Sequence, residues 1–385
     1  MHVALLTDGL YPYVVGGMQR HSRMLLEQLA KQGVRVSVFH TTLSERAAKA
    51  ALALEGLPED IRPQISAEFV EYPRRGRYPG HYLGEQREYS RRCLERFLQS
   101  KCRADFVYAQ GLTGLAFEDL RSRGGSVPPV AVNVHGYEPF QTPPDFRTRL
   151  QYLMLRPALR KVNQGADLVF CFSGKIREIV ESRICIDSAR IAEVPNGIDA
   201  SWIADAPRAS GAVRKFLFIG RYDRRKGLPE LLDALGRLDP DGAWSLEVVG
   251  PVPPEAVRPT ARVRLHGAIS DSTALRAIID TCDVLVCPSF AEGMPTVILE
   301  AMARGLAILA TDAGATREIV DSRNGILIDR PRPAVIAEAL KRLIGESGPR
   351  LDAMKWESLE RSKSYTWDII ARSVINAMKT RLGSV

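Results

Sequence analysis

The 385-residue sequence has no run of 18 or more apolar residues, so no segment reads as a membrane span. Its start, Met1-His2-Val3-Ala4, lacks the basic opening and long apolar core of a signal peptide, and a cytoplasmic location is expected. Cysteine is sparse and scattered. Cys93, Cys102, Cys171, Cys185, Cys282 and Cys287 form no C-x-x-C pair and no zinc spacing, which predicts reduced, mostly buried thiols. The G-x-G-x-x-G fingerprint is missing, and with it the argument for a nicotinamide-dependent oxidoreductase. Ser173 lacks the G-x-S-x-G setting of a hydrolase nucleophile. Asp239-Pro240-Asp241-Gly242 mimics a metal-binding D-x-D, but Pro and Gly between a helix and a strand make it a turn, and no metal is expected. With no helix-turn-helix, RNA-binding or zinc pattern, nucleic acid is not an expected partner.

What is present is α/β alternation on a chain long enough for two domains, with 45 % hydrophobic and 25 % charged residues. Short apolar runs at 3–7, 34–40, 106–109, 130–134, 168–172 and 191–194 predict strands separated by helices. The stretch 43–103 is less regular, with helical patterns at 46–54 and 85–101. A turn signature, Pro195-Asn196-Gly197-Ile198-Asp199, and a small, polar, Pro-containing stretch at 204–212 place a boundary after residue 203. A second series follows, with strands at 216–219, 246–249, 263–265, 284–287, 307–310 and 326–328. The expected architecture is two doubly wound Rossmann-like domains, 1–203 and 204–363, facing a cleft, with a terminal helix in 364–385.

The second domain carries the most informative stretch, residues 284–320. An apolar strand gives way to a turn with Glu292 and Gly293, and a helix is predicted from Pro295 at its first position to Gly305 at its left-handed end. Backbone N–H groups near Met294, Thr296 and Val297 would suit an anion. Glu292 before the helix and Glu300 within it could grip hydroxyls on either side of it. Hydroxyl, diphosphate, hydroxyl describes a nucleotide sugar. After the strand 216–219 comes a glycine-bounded basic loop in which Arg221 and Lys226 would complement a diphosphate leaving group, work that otherwise needs a metal. In the first domain, Gly16 and Gly17 sit where a backbone turns before a helix and lets a ligand approach. His135 ends a strand, where an imidazole could orient a transferred group.

The segment Glu292-Gly293-Met294-Pro295-Thr296-Val297-Ile298-Leu299-Glu300 resembles the E-x7-E element of glycosyltransferase family 4, retaining enzymes of the GT-B fold. The likeness extends to Gly16-Gly17, His135-Gly136, residues 195–199, Gly220-Arg221 with Lys226-Gly227, Ala313-Gly314 with Glu318, and Tyr365-Thr366-Trp367. It implies a sugar moved from a nucleoside diphosphate, such as a UDP- or GDP-sugar, to a glycan, lipid-linked or small-molecule hydroxyl. No cofactor is implied. By the resemblance Glu300 would bind ribose and Glu292 the donor sugar, and Arg221 and Lys226 would hold the diphosphate with Gly17, Thr296 and Val297. The base would rest near Ala268 and Ile269, and His135 would lie beside the sugar. Gly136 stands where many members carry Asp, and Met294-Pro295 where many carry Phe-Gly. An epimerase on the same scaffold and a non-catalytic nucleotide-sugar binder are the alternatives.

The net charge of +8 is concentrated between Arg74 and Arg103, where nine Lys or Arg face three Glu. That surplus suggests peripheral contact with anionic lipid on the inner membrane face, and so an envelope polysaccharide precursor or lipid-linked glycan as acceptor. A solvated helix face on Glu85 to Lys101 is the plainer account of it.

Overall fold

A computed structural model describes residues 1–14, 16–42, 50–74, 76, 80–257 and 262–383. Seven strands form the first sheet: β1 His2–Leu6, β2 Arg35–His40, β3 Ile65–Phe69, β4 Phe106–Gln110, β5 Val130–Asn133, β6 Leu168–Cys171 and β7 Ile191–Glu193. Their order is β3-β2-β1-β4-β5-β6-β7, and every pairing is parallel. Connecting them are α1 Gly17–Lys31, α2 His81–Gln99, α3 Leu115–Ser122, α4 Phe146–Gly165 and the short α5 Lys175–Glu178. The second sheet comprises β8 Arg214–Ile219, β9 Trp244–Val249, β10 Val263–Gly267, β11 Val284–Cys287, β12 Ala307–Thr311 and β13 Gly325–Ile328, in the order β10-β9-β8-β11-β12-β13, again parallel throughout. Its helices are α6 Leu228–Leu235, α7 Ser272–Ile279, α8 Thr296–Ala303, α9 Thr316–Ile319, α10 Pro333–Gly345 and α11 Gly348–Ser362, and α12 Trp367–Gly383 ends the described chain.

Strands covered on both faces are apolar nearly throughout, and β4, β5, β6, β11 and β12, buried along their whole length, are apolar but for Gln110, Asn133 and Thr311 at their carboxyl ends. In each sheet the winding reverses once, between β1 and β4 and between β8 and β11. At such a reversal the loops leaving the two central strands diverge and open a crevice at their carboxyl ends.

Several sequence expectations are corrected. Strand β3 lies in the stretch read as irregular; it is an edge strand with a half-exposed face, so its alternation is weak. Of the helix expected at 46–54, residues 46–49 lie outside the described residues and Ala50–Leu54 is a 3-10 turn. Helix α2 begins at His81 rather than 85, because left-handed Gly80 (φ 83°) turns the chain into it. The connection from β6 to β7 is not one regular helix but α5 followed by a π-helical turn, Ile179–Arg183.

The described chain divides into Met1–Phe140, Arg147–Asn196 and Trp367–Val385 as one unit, and Gln141–Phe146 with Gly197–Thr366 as the other. The boundary therefore falls at Asn196/Gly197, not after residue 203. The cause is local: Arg304 Nη1 donates to Trp202 O at 3.1 Å, Ala204 N to Ala303 O at 2.9 Å, and the Arg276 guanidinium lies over the Trp202 ring. These contacts fasten 201–204 to α7 and α8. Return to the first unit comes at Trp367 rather than 364, where Trp367, Ile370, Val374 and Met378 of α12 enter the core of β1, β2 and α1.

At the amino end of β11, Asp283 is fully buried. Its carboxylate accepts from Lys215 N at 3.0 Å, Arg208 Nη2 at 2.8 Å and the equally buried Lys355 Nζ at 3.2 Å. This cluster borders a cavity of about 340 Å³ at the end of the sheet away from the crevice, and its cations are already partnered. Removing one charge of a buried pair strands the other. Asp283→Leu, which leaves the Lys355 ammonium buried without a carboxylate, should lower the unfolding free energy by about 3–5 kcal/mol, and adding Lys355→Met should recover part of the loss, as read by urea denaturation.

Candidate active site

In the second unit, the loop after β8 begins at Gly220 and ends in a 3-10 turn, Arg224–Lys226, capped by Asp223, whose carboxylate accepts from Arg225 N at 2.9 Å. Gly227 must be glycine. Its φ is 70°, and a Cβ there would lie 1.9 Å from the carbonyl oxygen of Pro288 in the loop after β11. The two loops of the switch point are thus pressed together, and Phe290 N donates to Arg225 O at 2.8 Å. Across the junction Lys226 Nζ meets Glu292 Oε1 at 2.6 Å, while Arg225 Nη1 stands 3.9 Å from Oε2. Burial pushes the Glu292 carboxyl up, but Lys226 and Arg225, with hydrogen bonds from Lys226 and Ser289, outweigh it and hold the group below its ordinary value. Glu292 is therefore ionised at neutral pH.

The Glu292 peptide is clamped from a distant stretch of sequence. Gln141 Nε2 donates to Glu292 O at 2.6 Å, and Gln141 Oε1 accepts from Glu292 N at 3.4 Å. On its other side lies Gly314 (φ 56°), where a Cβ would come within 2.2 Å of Glu292 O, and Ala315 N donates to Gly293 O at 2.8 Å. Pro295, expected as the first helical residue, is the extended N-cap of α8 (ψ 115°). It has no N–H and is buried, as is the Met294 side chain, so neither side chain offers a ligand a polar group. Thr296 and Val297 are half-exposed, and their N–H groups have no partner among the described residues. Glu300 is buried one turn below Thr296 on the same face of α8. Arg221 is exposed, and its guanidinium makes no ion pair or hydrogen bond among the described residues. Ile269 is half-buried in the loop after the edge strand β10, two strands from β8.

Of the sequence candidates, the structure joins Lys226 directly to Glu292 and puts Thr296, Val297 and Glu300 on the helix that follows. The second cation at Glu292 is Arg225; Arg221, expected with Lys226 at a diphosphate, lies exposed on the same loop. Arg225 and Gln141 were both missed; the first hid in a run of four cations, the second in a loop more than a hundred residues upstream.

In the first unit, His135 follows β5 in a strained turn, with φ of 69° at His135 and 53° at Tyr137. His135 N donates to Asn133 Oδ1 at 3.0 Å, which holds the turn. His135 Nε2 lies 2.6 Å from Gln110 Oε1, and Gln110 Nε2 lies 3.1 Å from His21 Nδ1. One amide bridging two rings fixes both tautomers: His135 donates from Nε2 and keeps Nδ1 as an acceptor, while His21 accepts at Nδ1. Gly16 is the N-cap of α1 in extended backbone (φ 175°), so no tight turn demands glycine there. A Cβ on Gly17 would meet nothing within 4 Å, so open space lies over the start of the helix. At Gly136 a Cβ would lie 2.5 Å from the Glu138 carboxylate, which therefore brings an acidic group to the position that residue 136 leaves without one.

Burial lowers the His135 imidazole to about 4, and His21 is held well below its ordinary value by burial and by His135 beside it. Between pH 6.5 and about 4 the unfolded chain, with ordinary imidazoles, binds more protons than the folded one. Stability is thus full above pH 6.5 and is lost as the pH falls toward 4. In urea titrations at pH 7.5 and 5, His21→Asn should show a smaller drop than the unaltered protein.

A family model described as "Glycosyltransferase Family 4" matches residues 15–202, and one described as "Glycosyl transferases group 1" matches residues 213–346. Among curated relatives, a phosphatidyl-myo-inositol mannosyltransferase of Mycolicibacterium smegmatis is 32 % identical over 206 residues, 50 % of this chain and 52 % of that protein. The chain spans about half the length of the mannosyltransferases it matches in this way. A D-inositol 3-phosphate glycosyltransferase of Paenarthrobacter aurescens is 26 % identical over 94 % of this chain and 93 % of its own. Among solved structures, sucrose-phosphate synthase of Thermosynechococcus elongatus superposes with a TM-score of 0.79 at 19 % identity, covering 100 % of both chains. Anabaena Alr3699/HepE, solved with UDP and glucose, gives 0.70 at 18 % identity over 98 % of this chain and 99 % of its own. The two parallel Rossmann-like sheets are those of the GT-B fold. Matched by family models on both of its sheets, this chain belongs to glycosyltransferase family 4.

Proposed function

We propose that the protein moves a hexosyl-type sugar from a nucleoside diphosphate to a hydroxyl of a glycan, lipid-linked or small-molecule acceptor, with retention at the anomeric carbon and without a metal. The observation that carries this reading is the ion pair of Lys226 with Glu292 at the switch point of the second sheet, beside the half-exposed start of α8. Lys226 spends one of its three N–H bonds on Glu292 and can turn the others to a diphosphate. Arg221, exposed and unpartnered among the described residues, adds a second cation. Together they stabilise the negative charge that grows on the departing phosphate, aided by the Thr296 and Val297 N–H groups at the positive end of a helix.

Ionised Glu292 would accept hydrogen bonds from the sugar and Glu300 from the ribose. The bond from the anomeric carbon to the phosphate oxygen breaks as the acceptor oxygen adds on the same face, and the acceptor's proton passes to the departing phosphate. His135, neutral at physiological pH, can accept a sugar hydroxyl at Nδ1. The UDP and glucose bound in the HepE structure support a nucleotide-sugar donor. The phosphatidyl-myo-inositol in the mannosyltransferases' name supports a lipid-linked acceptor, and we set the reaction in polysaccharide biosynthesis on the cytoplasmic side. No helix among the described residues is long and apolar enough to cross a membrane.

Thermal-shift measurements against UDP-, GDP-, ADP- and dTDP-sugars should find a donor that raises the melting point. Lys226→Ala and Glu300→Ala should each abolish that rise at moderate ligand concentration; unchanged rises in both would remove the assigned roles. With the donor so identified, proton NMR of the product should show the donor's anomeric configuration, and adding EDTA should leave the rate unchanged. Isomerised nucleotide sugar formed without an acceptor would identify an epimerase instead.

A further inference from the structure

Of the nine basic residues in the stretch 74–103, four lie on α2, and three of these arginines are neutralised. Arg91 pairs with Glu88 and Glu95, Arg92 with Glu88 and Glu71, and Arg96 with Glu68. Helix α4 is different. Its sequence, FRTRLQYLMLRPALRKVNQG, holds five Arg or Lys and no Asp or Glu. Tyr152, Ala158, Leu159, Val162 and Asn163 form its buried face. At about 100° per residue the opposite face carries Phe146, Leu150, Leu153 and Met154, which are 71, 49, 46 and 49 % exposed. Gly80 at the start of α2 packs on Met154: a Cβ there would lie 2.7 Å from Met154 Cε.

Arg149, Arg156 and Arg160 run along one flank of this apolar stripe and Arg147 along the other. Lys161 pairs with Asp119, but these four arginines and nearby Arg183 have no carboxylate partner among the described residues. Burial and the like charges of Arg160, Arg183 and Arg149 pull Arg156 below its ordinary value, as expected of cations crowded without counter-ions. An apolar stripe facing water beside unneutralised arginines is the pattern of a helix lying in a lipid interface. Protein partners of opposite charge would satisfy the arginines, but not arginines and stripe along a whole helix face as a bilayer does.

We propose that this face of α4 docks on an anionic bilayer, with Phe146, Leu150, Leu153 and Met154 entering the boundary between headgroups and acyl chains. The exposed Arg147, Arg149 and Arg160 meet lipid phosphates, while half-buried Arg156 donates to Pro139 O at 2.8 Å and lies over the Phe140 ring. The docking is independent of sugar transfer and is read without donor or acceptor. In co-sedimentation at low salt, the protein should bind vesicles of equimolar phosphatidylcholine and phosphatidylglycerol and not vesicles of phosphatidylcholine alone. Leu150→Asp/Leu153→Asp and Arg147→Glu/Arg149→Glu, all at exposed positions and checked for an unchanged melting point, should each weaken binding on the order of tenfold. Arg91→Gln on α2 should leave it unaltered. Failure of the unaltered protein to sediment, or equal sedimentation of both double variants, would overturn the proposal. So would a dimer in analytical ultracentrifugation that the leucine variant dissociates, which would assign the face to a second copy of the chain.

Discussion

The 2.6 Å contact between Lys226 and Glu292 is the constraint to which the second unit is fitted. It joins the loops of β8 and β11, the two strands between which the sheet reverses its winding, and it does so with charges where parallel strands end. Each neighbouring feature serves that contact. Gly227 lets the β8 loop approach the Pro288 carbonyl, Asp223 caps the turn that aims Lys226, and Gly314 with Ala315 backs the Glu292 peptide. A charge pair this sheltered is costly to assemble, so the surrounding backbone holds it in place before any ligand arrives.

Much of this was legible because the central strands are buried on both faces. Runs such as Val284–Cys287 announce themselves by composition alone, and the ordered glycines and carboxylates around them carry family information. The edges were less readable. Strand β3 is half-exposed and loses its apolar signature, and the boundary moved because Trp202 packs on α7 and α8, a contact that no local pattern encodes. Charge was the least legible property. Counting residues points to α2, but the glutamates that neutralise its arginines lie one helical turn away or on β3 and the segment after it. Helix α4 carries five Arg or Lys and no Asp or Glu, and of these only Lys161 has a carboxylate partner among the described residues.

The first unit shows a different use of polar groups at strand ends. His135, Gln110 and His21 come from three separate elements and form one chain of hydrogen bonds in which neither ring is charged at neutral pH. Its value lies in fixed direction: the amide can satisfy both rings only if each presents one particular nitrogen. The sequence displays a histidine at a strand end, but not the glutamine that decides what the histidine can do.

Gln141 has a consequence for dissecting the molecule. It belongs by sequence to the first half of the chain, yet residues Gln141–Phe146 pack with the second unit, and its side chain satisfies both the N–H and the carbonyl of Glu292. A fragment expressed from residue 197 onward would keep all six strands of the second sheet and still lack this clamp. The two units are therefore not interchangeable cassettes, and a chimera spliced at Asn196 would inherit a Glu292 loop whose main chain depends on whichever residue its new front half supplies at position 141.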